Sequence, residues 1–106
     1  MSMKNKLAVF ALALGAVLPA VAADPVKIGL VLPMSGPFAA YGKQIEHGVR
    51  LYLAMNGDTV AGRKIELIVR DDAPGTSGDI SKRLSQELIV NDKVDILAGY
   101  GLTPAA

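Results

Sequence analysis

Two adjacent carboxylates, Asp71 and Asp72, and a lone histidine, His47, are the first residues of this chain to ask whether it does chemistry. A paired carboxylate can bind a divalent cation or divide into a general acid and a general base. Here neither a third ligand nor a histidine accompanies the pair, and the plainer reading is a solvated turn. His47 falls on the polar side of a helical pattern and reads as surface. "GYGLTP", Gly99 to Pro104, begins as G-x-G but lacks the third glycine of a dinucleotide fingerprint. There is no G-x-x-x-x-G-K-[ST] phosphate loop and no G-x-S-x-G elbow. With one histidine and no cysteine, neither a Ser–His–Asp order nor a thiol nucleophile can be built. The sequence therefore offers no catalytic residue, no metal site and no cofactor.

A second group of residues suits binding. "LVLPMSGPFAAYG", Leu30 to Gly42, runs from an apolar strand pattern through Pro33, Gly36 and Pro37 to Phe38 and Tyr41. "GYGLTP" follows another apolar run and ends with Thr103 before a proline. Backbone N–H groups at a helix start, with a hydroxyl beside them, suit a carboxylate or similar anion. Thr103 could equally serve as an N-cap, and the two roles are compatible. Phe38 and Tyr41 either face a ligand or pack on the sheet edge; the residues alone leave both open.

The elements that would position these loops follow from periodicity. Val26–Leu32 ("VKIGLVL") is almost continuously apolar, as in a parallel strand covered on both faces. Gly29 within it predicts a close neighbour. From Ala40 to Asn56 the pattern turns helical, with Ile45, Val49, Tyr52 and Leu53 on one side and Gly48 placed to let the helix approach the sheet. Asn56-Gly57 stops it. "GDTVAGRK" reads as a connector, with Arg63 and Lys64 in a turn. Ile65–Arg70 is a second strand. Thr76 or Ser77 caps a second helix with Ile80, Leu84 and Leu88 on its apolar stripe. Val94–Ala98 is a third strand.

The order β-α-β-α-β predicts a doubly wound parallel α/β sheet with right-handed crossovers. If the spatial order is 2-1-3, strand order reverses between strands one and three, and the two loops above flank the crevice where such sheets bind ligands. Residues 24–106 would then be the first part of a larger domain, since three strands leave both sheet edges open.

Residues 1–23 read as a secretory signal peptide. Lys4 and Lys6 precede a 12-residue apolar run, Leu7–Leu18, and "AVAAD" supplies cleavage after Ala22 or Ala23. The run is shorter than the roughly 20 residues that span a bilayer. Without the two lysines, 9 basic residues face 10 acidic ones, and the formal charge moves from +1 to −1. No basic cluster suggests a nucleic-acid partner, and no cysteine is available for a lipid anchor. An exported, periplasmic location is expected.

Taken together, "VKIGLVLPMSGPFAAYG", "GVRLYLAMN", "GRKIELIVRDD" and "DILAGYGLTP" resemble the start of branched-chain amino-acid-type periplasmic binding proteins, the solute receptors of ABC importers. The resemblance covers essentially the whole chain. It implies a type I fold of two α/β lobes closing on a small ligand, with a membrane permease as partner and no catalysis. It places Tyr41 beside the ligand, Thr103 on its carboxylate, and Gly101 and Leu102 on the same lip. Where the family's amino-acid receptors often carry Ser or Cys, this chain has "GLTPAA", which widens the implied solutes to other small organic acids and amides. The competing reading from another class is a flavodoxin-like signalling or enzyme domain using Asp71 and Asp72.

Overall fold

The computed structural model describes residues 23–73 and 78–106; residues 1–22 of the leader and the caps Thr76 and Ser77 lie outside the described residues. Strand β1 (Val26–Leu32) leads through a single 3-10 turn (Gly36–Phe38) into helix α1 (Ala39–Asn56). Two strands follow, β2 (Thr59–Val60) and β3 (Arg63–Asp71), then helix α2 (Gly78–Val90) and strand β4 (Ile96–Gly99). A second 3-10 turn covers Thr103–Ala105. The sheet order is β2-β3-β1-β4. Strand β1 pairs in parallel with β3 on one side and β4 on the other, with Gly29 level with Ile68 and Leu97. The supposed 2-1-3 order and its reversal beside β1 are therefore present.

Alternation along β1 feeds two faces. Val31 joins Leu84 and Leu88 of α2 in a buried cluster, bordered by Ile68, Ile80, Val94, Leu97 and Tyr100. Gly29 is bare for that reason: a Cβ there would meet Leu88 at 3.0 Å and Leu97 at 3.3 Å. Leu30 and Leu32, pointing the other way, are also buried. Fully burying a leucine contributes about 1.5–3 kcal/mol, so Leu32 and Leu88 matter more than the exposed i,i+4 ion pairs Arg50–Glu46 and Arg83–Glu87. Arg70 and Asp92 form a partly buried pair at 2.7 Å that ties β3 to the end of α2.

Three expectations are corrected. Arg63 and Lys64 begin β3 rather than occupying a turn, and a two-residue hairpin through Ala61 (φ 50°) and Gly62 (φ 75°) joins β2 to it. Arg63 Nε donates to the Asp24 carbonyl at 2.8 Å, which holds it in the strand edge. Gly48 is exposed with nothing near its missing Cβ; the helix instead approaches at Gly42, which is buried against the Pro33 backbone. Tyr52 is 65% exposed and lies outside the buried side of α1.

Candidate functional site

The loops after β1 and β4 meet at the strand-order reversal. Leu32 and Pro33 are buried and carry the chain straight off the sheet. Gly36 adopts φ 70°, which lets the loop turn sharply into the 3-10 turn, and Pro37 sits within that turn. Gly42 then lays the first turn of α1 on Pro33 and Met34. On the other side, Gly99 takes φ 105°, and a Cβ there would overlap the Val31 carbonyl oxygen, so only glycine allows β4 to close this tightly on β1. Tyr100 N–H donates to that same carbonyl at 2.7 Å. Its hydroxyl shares a hydrogen bond with Ser85 Oγ at 2.5 Å, which directs the ring onto α2 and away from the other loop.

Tyr41 and Gly101 are in contact across the crevice: a Cβ on Gly101 would sit 2.9 Å from Tyr41 Cε1. Tyr41, in the first turn of α1, remains 45% exposed, and Phe38 at the end of the preceding 3-10 turn 46%. Leu102 is half-buried and extended, and its carbonyl accepts the Ala105 N–H at 2.9 Å. Thr103 is exposed as the first residue of the 3-10 turn. It is not the N-cap that its place before Pro104 suggested: Leu102 holds that position and no side chain caps the turn. A cavity of about 500 Å³ lies elsewhere, between Arg50, Leu53 and Ala54 of α1 and Ile65 and Leu67 of β3.

Asp71 is exposed, as in the solvated turn expected, but Asp72 is not. The Asp72 side chain is buried and accepts a hydrogen bond from Ser81 Oγ at 3.2 Å, while its backbone N–H donates to the Leu32 carbonyl. Ser81 is itself almost completely buried on α2, a polar residue in the core that the apolar-stripe pattern passes over. The Asp71 carboxylate accepts the N–H groups of Met34 and Ala73, both at 2.9 Å. Loss of hydration alone would raise its pKa. Hydrogen bonds from the Ser35 hydroxyl and from the backbone of Ala73, Met34 and Ser35 outweigh that and hold it below the ordinary 3.8. The two carboxylates thus face different partners, and the N–H of Met34 is committed to Asp71. Among the described residues no cluster of three potential metal ligands occurs.

A depressed folded-state value fixes the sign of the pH effect. The Asp71 bonds support the native chain above the unfolded value and are lost as pH falls through the lower folded one. The Asp71 carboxyl carbon, followed by NMR during acid titration, should show a midpoint below 3.8. A midpoint at or above 3.8 would mean that the bonds to the Met34 loop are not maintained in solution.

A parallel α/β sheet with facing loops at its reversal point defines a doubly wound domain of the ligand-binding type. The sequence profile of the periplasmic binding proteins matches residues 25–106, and the chain belongs to that family. It is a family of solute-binding proteins, not of enzymes. A Leu/Ile/Val-binding protein homolog of Brucella abortus is 43% identical over 100 residues, 94% of this chain. The chain spans only 24% of that relative's length. A solute-binding protein of an ABC transporter from Rhodopseudomonas palustris BisB5, solved with 3,4-dihydroxybenzoic acid, is 55% identical with a TM-score of 0.71, covering 77% of this chain and 22% of its own. A counterpart from R. palustris HaA2, solved with p-hydroxybenzoic acid, is 41% identical with a TM-score of 0.73, at the same coverages. Among the described residues no helix is long and apolar enough to cross a membrane.

Proposed function

We propose that residues 24–106 form the first part of the first lobe of a periplasmic solute receptor for an ABC importer. Residues 1–23 serve as its signal peptide, and a membrane permease is its partner. The crevice between the loops after β1 and β4 receives a small carboxylate. Tyr41, Gly101, Leu102 and Thr103 line it, with Thr103 on the anion. In the complete receptor a second lobe closes over the ligand by hinge motion. The observation that carries this reading is the contact of Tyr41 with Gly101 at the strand reversal, which places both loops on one lip.

An aromatic carboxylate of the hydroxybenzoate type is the solute class we favour. Two half-exposed rings, Phe38 at the end of the 3-10 turn and Tyr41 in the first turn of α1, offer faces for stacking a planar ring. The two Rhodopseudomonas proteins, solved with hydroxybenzoic acids, support the same chemistry. A branched-chain amino acid is the second reading, favoured by the Brucella relative's name. Calorimetric titration of the complete receptor with 4-hydroxybenzoate, 3,4-dihydroxybenzoate and leucine decides between them. Saturable heat with the aromatic acids alone is expected, weakened by Tyr41→Ala with little change in melting temperature. Binding of leucine alone selects the second reading. Binding of none removes both.

A further inference from the structure

We propose that Asp71 is a positioning residue for the ligand crevice: through Met34 it holds the loop that sets the first turn of α1, and with it the ring of Tyr41. The inference rests on the reading of this crevice as the solute site and adds to it a residue that touches no solute. Asp71 belongs to β3, on the far side of β1 from the Gly101 loop. Its Oδ1 accepts the N–H of Met34, 37 positions away in sequence, and that of Ala73, each at 2.9 Å. One carboxylate oxygen therefore fastens the loop after β1 to the loop after β3. From Met34 the chain is mechanically short. Gly42 rests on the Pro33 carbonyl, and its missing Cβ would lie 3.2 Å from Met34 Sδ. The residue just before Gly42 is Tyr41, whose ring lies against Gly101. No side-chain cap supports the 3-10 turn at Gly36–Phe38 or the start of α1.

The consequence is that Asp71 governs how often the crevice is competent rather than how strongly it grips. When only a fraction of molecules holds the binding geometry, the apparent Kd rises by the inverse of that fraction. Asp71→Ala removes the acceptor. Asp71→Asn keeps Oδ1 in place for both N–H groups and should restore most of the order.

Amide hydrogen exchange and the Tyr41 ring resonances are read first, in the ligand-free complete receptor; titration with 4-hydroxybenzoate follows. In Asp71→Ala, exchange at Met34 should accelerate about tenfold or more while that at Leu30 and Val31 in β1 stays unchanged, as for a local opening. Affinity for 4-hydroxybenzoate should fall by about tenfold, the factor for a loop competent a tenth of the time, and Asp71→Asn should recover it. Unchanged exchange at Met34, or faster exchange with unaltered affinity, overturns the proposal. If the parent receptor does not bind 4-hydroxybenzoate, the solute reading fails. Positioning then stands or falls on whether Asp71→Ala perturbs Met34 and Tyr41 together. Should Asp71→Ala not fold, Asp71→Glu, which displaces the acceptor by one methylene, is read in the same way.

Discussion

Replacing Thr103 by valine in the complete receptor should weaken an aromatic carboxylate by about tenfold to a hundredfold and leave stability almost untouched. The 3-10 turn that Thr103 opens has few donors to spare. Pro104 has no N–H, and the N–H groups of Ala105 and Ala106 already donate to the carbonyls of Leu102 and Thr103. An anion approaching this turn is left with the Thr103 backbone N–H and its hydroxyl. Valine preserves the branched shape and the backbone donor and deletes only the hydroxyl. A hydrogen bond to a charged group is worth about 1.5–3 kcal/mol, and each 1.4 kcal/mol is a factor of about ten in Kd. Thr103 is exposed, so the empty protein should melt within about 0.5 kcal/mol of the parent. Thr103→Ser retains the hydroxyl and should bind nearly as the parent does. Calorimetry and melting curves on the three proteins provide the check, and equal affinities for valine and threonine would remove the hydroxyl from the site.

What the sequence discloses and what it conceals divide by the range of the interaction. Strand β1 and the stripe Leu84–Leu88 are legible because burial on two faces or one imposes a local period. Two helical crossovers imply parallel, right-handed connections, but the 2-1-3 order itself is a supposition that the sheet then shows. The hairpin from β2 into β3 is hidden because its turn is Ala61-Gly62, with Ala61 at φ 50°, where the usual signal is Asn or Asp before glycine. The partners of Asp71 and Asp72 are hidden for another reason. Nothing in their neighbours announces that one carboxylate meets Met34 and the other a buried serine on α2. Of the candidate site, the facing of the two loops is legible once the 2-1-3 order is supposed, while the contact of Tyr41 with Gly101 is not specified by it. Nor is the downward turn of Tyr100 onto Ser85, since it depends on a positive φ at a non-glycine residue.

Two glycines on one helix, Gly42 and Gly48, should respond to alanine with opposite signs. Both substitutions gain helix propensity, worth about 0.8–1 kcal/mol in a helix interior. At Gly48 nothing lies within 4 Å of the added methyl, so that gain should appear nearly whole as increased stability. At Gly42 the methyl would overlap the Pro33 carbonyl oxygen, lie 2.7 Å from the carbonyl carbon and crowd Met34 Sδ at 3.2 Å. The sulfur end of Met34 can swing aside. The Pro33 carbonyl cannot, because Pro33 is buried and continues directly from Leu32, which is fully enclosed in the sheet. Overpacking against a fixed wall costs about 1–3 kcal/mol and sometimes more, enough to cancel the propensity gain and leave Gly42→Ala clearly destabilised. The strain also has a direction. It should push the first turn of α1 off the β1 loop and disturb Tyr41, the residue beside Gly42. Affinity for 4-hydroxybenzoate should therefore drop in Gly42→Ala and hold in Gly48→Ala. Urea unfolding with calorimetric titration of the complete receptor measures both quantities; two alanines that shift stability the same way would show that α1 does not rest on Pro33 as described.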